Sequence, residues 1–290
     1  IAHKSAEAIV AAGKGRRVER EGASNALLMR TVVHQMPVAA GRVVNGQGDA
    51  LPQAVSDETG LPRQAPEGAG RDLLMQALAR ENMQRAWQRG NANKGAAGVD
   101  GLDIARTGTH LKHAWPIIRQ QLLDGTYRPQ PVRRVGIPKP DGSERELGIP
   151  TVTDRLIQQA LLQVLQPLID PTFSEHSYGF RPARRARDAV LAAQRYVSQG
   201  CPIVVDVDLS KFFDRVNHDI LIDRLGKRVN DPGIIRLARA YLNAGIMDGG
   251  VVIERMKGTP QGGPLSPLLA NVLLDEVDRE LERRGHRFAR

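Results

Sequence analysis

The sequence contains a single cysteine, Cys201, so no internal disulfide can form, and no Cys/His cluster has zinc spacing. That usage fits a reducing compartment, and a bacterial cytoplasm is the expected setting. Cys201 precedes an apolar run and reads as a small core residue rather than a nucleophile. No apolar run approaches the roughly 18 residues of a membrane span. The opening Ile1-Ala2-His3-Lys4 has no signal-peptide pattern and no initiator methionine, and Met29, Met36 and Met75 are alternative starts. Acidic residues are the minority charge, 32 Asp and Glu against 41 Lys and Arg, for a net charge of +9 and a pI near 10.1. The excess points to a polyanionic partner, nucleic acid foremost, with a solvated basic surface as the plainer alternative. What is present in ordinary amount is apolar residue, 41%, which excludes wholesale disorder. A chain of 290 residues can form one large or two ordinary domains.

Residues 1–70 are rich in Gly, Ala, Pro and small polar residues, with weak periodicity, and read as a flexible leader, in part upstream of the true start. Periodicity begins near Arg71. Leu73, Leu74, Ala77, Leu78 and Trp87 fall at helical spacing up to Arg89-Gly90-Asn91. The Gly-rich turn Lys94–Gly101 follows, then a helix predicted over about 109–124 with Leu111, Trp115, Ile118 and Leu122 on one face. Pro116 lies inside that pattern, which predicts a kink or a later start. Residues 132–138 and 144–149 read as a hairpin around Lys139-Pro140-Asp141-Gly142. Helices are expected at 153–169 and 184–198, a strand at 202–208, helices at 217–228 and 231–243, a hairpin near 247–256 and a helix at 266–283. Strands mixed with helices, without regular βαβ repetition, indicate an α+β fold.

Three segments suggest chemistry. In Val205-Asp206-Val207-Asp208-Leu209, carboxylates alternate with apolar residues and project from one face of a strand end. A rigid carboxylate there suits Mg²⁺, which takes oxygen donors; a helix cap or a solvated strand end is the plain alternative. Gly258-Thr259-Pro260-Gln261-Gly262-Gly263 leads into Ser266-Pro267, an N-cap and first-turn pair, and offers a backbone-rich turn at a helix N-terminus. An ordinary loop-to-helix junction has the same composition. The hairpin carries Lys139 and Arg145, two cations able to clamp a triphosphate or simply to face solvent.

Taken in order, these segments resemble the group II intron reverse transcriptases, also called maturases. Ile137-Pro138-Lys139-Pro140-Asp141-Gly142, Arg145–Pro150, Asp154–Ala160 and Ser177-Tyr178-Gly179-Phe180-Arg181-Pro182 match the family's fingers motifs. The Asp208 strand and the Pro-Gln-Gly-Gly loop match its palm, and Gly98-Val99-Asp100-Gly101 resembles an N-terminal motif that retroviral enzymes lack. The resemblance runs from about 71 to 290. It implies a right-hand polymerase fold, with a helical extension at 71–130, fingers at 131–205 and part of the palm at 206–290. It also implies roles: Asp208 as the first catalytic aspartate, the Leu209 carbonyl as a second Mg²⁺ ligand, and Lys139 and Arg145 as the triphosphate clamp. Phe213 becomes the gate that excludes a ribose 2′-OH, and Gln261 the residue beside nucleotide and template. Arg181, Arg184, Arg185 and Arg187 are expected to face RNA backbone.

The implied reaction is template-directed addition of dNTPs to a DNA primer or target with intron RNA as template, using Mg²⁺. The family completes its metal site with a Tyr-x-Asp-Asp turn, and no such sequence occurs here. The chain ends on the approach to that turn, at His286–Arg290. The expectation is a fragment that is inactive alone, with the Asp208 strand left with an unpaired, exposed edge. Two other readings remain: an RNA-binding splicing cofactor that does not polymerise, and a reverse transcriptase from a retron, a diversity-generating element or a CRISPR locus.

Overall fold

The computed structural model describes residues 72–138, 142, 144–209, 212–248, 250–253, 257, 258 and 262–290, and the strand at 29–35. Along 29–35 and at Arg145 only the backbone is described. The expected leader therefore lies mostly outside the described residues, except for strand β1, Met29–Gln35. The elements that follow are α1 (Leu73–Ala77), α2 (Arg80–Ala92), α3 (Ile104–Asp124), β2 (Val132–Pro138), β3 (Glu144–Ile149) and α4 (Val152–Ile169). Next come a 3₁₀ turn at Asp170–Thr172, α5 (Ala186–Ser198), β4 (Ile203–Leu209), α6 (Phe212–Arg215), α7 (His218–Gly226) and α8 (Pro232–Leu242). The hairpin β5 (Ile246–Asp248) and β6 (Val251–Ile253) and the long α9 (Ser266–Arg283) complete the chain. The mixture of separate helices and sheets is α+β, as the pattern implied.

The strands form two sheets. One has four strands in the order β3-β2-β5-β6. Its β2–β3 hairpin is antiparallel, with Val135 opposite Leu147, and β2 runs parallel to β5 through Val132 and Ile246. The other is the antiparallel pair β1–β4, with Asp208 opposite Arg30 and Asp206 opposite Val32. This is a correction to the sequence expectation: one edge of the Asp208 strand is paired, by a segment read as flexible leader. The chain divides into two compact units, one holding β1 and β4 (1–69 and 194–210) and the other 70–193 and 211–290.

The second unit has a helical core. Leu161, Leu165 and Ile169 on one stripe of α4 meet Leu221 and Leu225 of α7, Ile234 and Leu242 of α8, and Leu269 and Val272 of α9. All of these are essentially inaccessible to solvent. The four-residue spacing of the α4 residues is what a helix needs to present one face. The helix expected from Arg71 to Arg89 is two helices. The chain turns at Leu78 and Ala79, where Ala79 is extended, and the turn lets Leu73, Leu74, Ala77 and Leu78 reach the core while Ala86 packs separately on Leu156 and Ala160. Asn82 locks that arrangement by donating to the Ala77 and Ala160 carbonyls at 2.8 and 3.0 Å.

Two further corrections concern caps. α3 begins at Ile104, earlier than the periodicity suggests, because Asp103 caps it by accepting from the Arg106 amide at 2.8 Å. Pro116 sits inside it. Both Pro116 and Lys112, whose carbonyl loses its partner, are exposed, so water can take the lost bond. Ser266 is not the cap of α9: Leu265 holds that position and Ser266 is buried within the first turn. No helix among the described residues is long and apolar enough to cross a membrane.

A buried polar knot joins the hairpin to α4. Thr151 caps α4 by accepting from the Asp154 amide at 3.0 Å, and its hydroxyl donates back to Asp154 at 2.7 Å. The same carboxylate accepts from the Tyr127 hydroxyl at 2.8 Å and the Gln130 amide at 3.2 Å. Burial pushes the Asp154 carboxyl above its usual range, and the donors from Thr151, Tyr127 and Gln130 pull it partway back. Burial and the adjacent Asp154 charge also hold the Tyr127 phenol far above its ordinary pKa. Replacing Asp154 by Ala strands three donors, and each unmet buried donor costs about 1–3 kcal/mol. Asp154→Ala should therefore lower unfolding free energy by roughly 3 kcal/mol or more in urea titration, with the m-value unchanged.

Gly98 provides a second check on the same junction. A Cβ there would lie 2.6 Å from Thr151 Cα and 2.7 Å from its amide nitrogen. Both are backbone atoms that cannot swing aside. Gly98→Ala should cost roughly 2 kcal/mol and lower the melting temperature, whereas Gly90→Ala, where a Cβ meets nothing within 4 Å, should not.

Candidate functional site

The sequence assigns the chemistry to two loops and a strand, and the fold explains how each is held. The Pro-Gln-Gly-Gly loop is fixed at its entrance by His218, a buried residue of α7. One ring nitrogen of His218 lies 2.6 Å from the Gly258 carbonyl oxygen and the other 3.0 Å from the Asn243 side-chain oxygen. The Gly258 amide donates to the Val216 carbonyl at 2.8 Å. At its exit Gly262 has φ of +133° and lies against the Gly148 carbonyl of β3, which leaves no room for a side chain. On the other side of the same β3–α4 junction sits the Lys94–Gly101 loop, where Gly98 meets Thr151 and Arg155 donates to the Ala96 carbonyl at 2.7 Å. The N-terminal motif and the glycine loop thus share one seat, residues 148–155.

Gln261, the predicted nucleotide contact of that loop, lies outside the described residues, as does Lys139. Arg145 is in β3 with its backbone opposite Ile137. Arg134 forms ion pairs with Glu146 and Asp248 and so joins β3, β2 and β5.

Asp208 is near the end of β4, two residues from Asp206, and both are exposed. Leu209, the expected carbonyl ligand, is the last residue of the strand. Ile203, Val205 and Val207 are also about half or more exposed, at 61%, 53% and 49%. Phe213 is half-buried in α6, its ring edge-on to Phe212 with centroids 5.3 Å apart. Among the described residues no three His, Cys, Asp or Glu gather as a metal cluster. Asp206 and Asp208, oxygen donors on one side of a strand, fit Mg²⁺ in kind but supply too little charge for two ions.

The four arginines divide. Arg181 is not a free cation: its side chain is 3% exposed. It pairs with Asp170 at 3.0 Å and donates to the carbonyls of Ser174 and Ser177 at 2.6 and 3.1 Å. This corrects the expectation that Arg181 faces RNA; the guanidinium holds a loop together instead. Arg184 is partly engaged, pairing with Glu175 at 2.6 Å and lying over the Tyr178 ring at 5.5 Å. Arg185 and Arg187, at the start of α5, are exposed.

What sequence reasoning missed is the wall against which that loop is built. Asn271, Asp275, Asp278 and Glu282 form a polar stripe along α9. Asn271 donates to the Gly179 carbonyl at 2.9 Å, Asp275 accepts from the Ser174 amide at 3.1 Å, and Glu282 accepts from the Ser174 hydroxyl at 2.5 Å. Asp278, fully buried, pairs with Arg290 at 2.6 Å. Arg290 also reaches Asn271 and Ser177, both at 2.9 Å, and its carbonyl accepts from the Tyr178 amide at 2.6 Å. The readable signal was the spacing of Asn and Asp on an otherwise apolar helix face.

Comparison with known proteins gives this arrangement a family. The family described as reverse transcriptase (RNA-dependent DNA polymerase) matches residues 137–289, more than half of the chain. The group II intron-encoded protein LtrA of Lactococcus lactis is 40% identical over 195 residues, which is 67% of this chain and 32% of LtrA. Protein YkfC of Escherichia coli is 36% identical over 223 residues, 73% of this chain and 58% of YkfC. The chain thus spans between about a third and three fifths of these relatives. Among solved structures, a chain of a partial Cas6-RT-Cas1–Cas2 complex matches 73% of this chain and 35% of its own length, with 26% identity and a TM-score of 0.50. The end of β2, all of β3, the glycine loop seated on β3 and the Asp208 strand fall inside the matched span, and the chain belongs to the reverse transcriptase family.

Proposed function

We propose that this chain forms the fingers (131–205) and the first part of the palm (206–290) of an RNA-directed DNA polymerase of the group II intron type, with 71–130 as its N-terminal extension. The observation that carries this reading is the family match over 137–289, which spans the two loops and the strand that the chemistry requires. The template is intron RNA, the primer or target is DNA, and the substrates are dNTPs.

In this reading the Asp208 carboxylate and the Leu209 carbonyl hold Mg²⁺, and Asp206 adds charge beside them. When bound, the ion supplies charge neutralisation at the primer 3′-OH and at the leaving pyrophosphate. The chain's own groups orient the reactants. Lys139 and Arg145, on the turn and the returning strand of one hairpin, grip the triphosphate from one side. The Phe213 ring lies under the incoming sugar and leaves no space for a 2′-OH. Gln261 borders the nascent base pair. Arg184, Arg185 and Arg187 meet phosphates of the template, while Arg181 shapes the loop from which they project.

The sequence holds no Tyr-x-Asp-Asp, so polymerisation is tested in a longer chain that carries one. The basic balance, a net charge of +9, also supports a second reading, an RNA-binding splicing cofactor without polymerase activity. The likeness to the Cas6-RT-Cas1–Cas2 chain favours a non-intron enzyme less strongly than the 40% identity to LtrA favours the intron type.

Primer extension on an RNA template separates these readings. A chain extended through a Tyr-x-Asp-Asp turn should incorporate dNTPs in Mg²⁺, and Asp208→Ala in it should abolish extension while leaving RNA affinity unchanged. Extension by the Asp208→Ala variant would overturn the metal assignment, and extension by the 290-residue chain itself would overturn its expected inactivity. In the extended chain Phe213→Ala should raise the relative kcat/KM for ribonucleotides by roughly tenfold or more, read from competing rNTP and dNTP incorporation.

A further inference from the structure

The loop at 174–181 is bonded at nearly every residue, yet it holds a phenylalanine out to solvent. Phe180 is 74% exposed, the highest value among the exposed large apolar residues described. Its φ is +56°, a left-handed conformation that residues with a Cβ adopt only when their surroundings impose it. The surroundings do impose it. On one side the Gly179 carbonyl accepts from Asn271 and the Gly179 amide donates to the Arg290 carbonyl at 3.3 Å. On the other, Arg181 is buried and tied to Asp170, Ser174 and Ser177. Both neighbours of Phe180 are therefore fixed, and the ring between them is aimed outward.

An aromatic ring displayed this way contributes nothing to the core, and its backbone conformation is unfavourable. Its surroundings are cationic: Arg184 lies over Tyr178, and Arg185 and Arg187 are exposed within seven residues of Phe180. Rigid aromatic rings interleaved with cations are the chemistry of single-stranded nucleic acid binding, in which the ring stacks on a base and the cations meet the adjacent phosphates. We infer that Phe180 is a stacking platform for an unpaired base of a single strand whose phosphates are met by Arg185 and Arg187. Arg181 acts as a positioning residue that holds the ring in place. This inference rests on the nucleic-acid reading above and adds to it a contact that is indifferent to salt and needs the face of a base. An apolar pocket on a partner protein would accept the same ring but has no use for the neighbouring cations.

The test uses the 290-residue chain and a short fluorescein-labelled single-stranded RNA, with binding read by anisotropy across a salt series. Phe180→Ala should weaken binding roughly 5- to 150-fold with the slope of log affinity against log salt unchanged. Phe180→Trp should retain the affinity. Arg185→Ala should instead reduce that slope by about 1. Phe180→Gly relieves the left-handed conformation and so keeps the loop intact; it should bind as weakly as the alanine variant and melt no lower than the unchanged chain. An RNA with abasic sites should bind the unchanged chain as weakly as the intact RNA binds Phe180→Ala, and should bind both proteins equally. If Phe180→Ala or Phe180→Gly bound the intact RNA as tightly as the unchanged chain, or if the loss appeared only as a change in salt slope, the stacking role would be overturned while the nucleic-acid reading stood. If the unchanged chain bound no RNA at all, both would fall.

Discussion

A helix that packs into a core with carboxylates on its buried side cannot be stable until those carboxylates are met, and α9 is such a helix. Asp275 and Asp278 are both under 5% exposed on a helix that also buries Leu268, Leu269 and Val272. Taking a carboxylate out of water without a partner costs several kcal/mol. The fold resolves this by bringing the 174–181 loop, Arg228 and Arg290 to the helix, so that amide and guanidinium donors meet each oxygen. The loop's path follows from that requirement. Its motif, Ser-Tyr-Gly-Phe-Arg-Pro, can then be understood residue by residue: Ser177 contacts Arg290, Gly179 leaves its carbonyl to Asn271, and Arg181 closes the loop onto Asp170.

This changes the meaning of the basic composition. A net charge of +9 invites the view that every arginine near a polymerase motif faces RNA. Arg181, Arg228 and Arg290 do not; they neutralise Asp170, Asp275 and Asp278 inside the protein. Arginine suits that task because its planar fork satisfies several acceptors at once and it never loses its proton. Near this motif, the cations left for a polyanion are those at the start of α5, and they are fewer than the composition implies. Breaking one of the internal pairs would release the loop from which the exposed groups project.

Local pattern carried much of the fold. The β2–β3 hairpin, α4, α7, α8 and α9 lie within a residue or two of where periodicity and turn chemistry put them. Where local reading failed, a distant partner decided. α1 and α2 are separate because Asn82 bonds to Ala160, nearly eighty residues away. Arg181 is structural because α9, a hundred residues later, closes over its loop. The leader segment 29–35 becomes a strand only by pairing with β4, and its own periodicity is too weak to announce it. The candidate site was legible in a different way. The ordered motifs identified the family, but the carbonyls, caps and glycine contacts that hold each loop leave no local signature, and Phe180 was hidden in a motif read for its arginine.

The loops and the Asp208 strand are held by unlike means. The glycine loop and the N-terminal motif loop rest on a single buried junction, in which Asp154 satisfies three donors and Gly98 and Gly262 allow backbone to touch backbone. Such a seat is rigid, and a small change there should shift both loops together. The Asp208 strand differs. Its valines alternate with aspartates, yet Val205 and Val207 are about half exposed and both aspartates face solvent. Exposure leaves their oxygens open to a cation, but it does not fix their positions. Productive metal chemistry requires ligands held to within a fraction of an ångström. The two loops are thus constrained by buried backbone contacts and hydrogen bonds, whereas the strand that carries Asp208 presents both its valines and its aspartates to solvent.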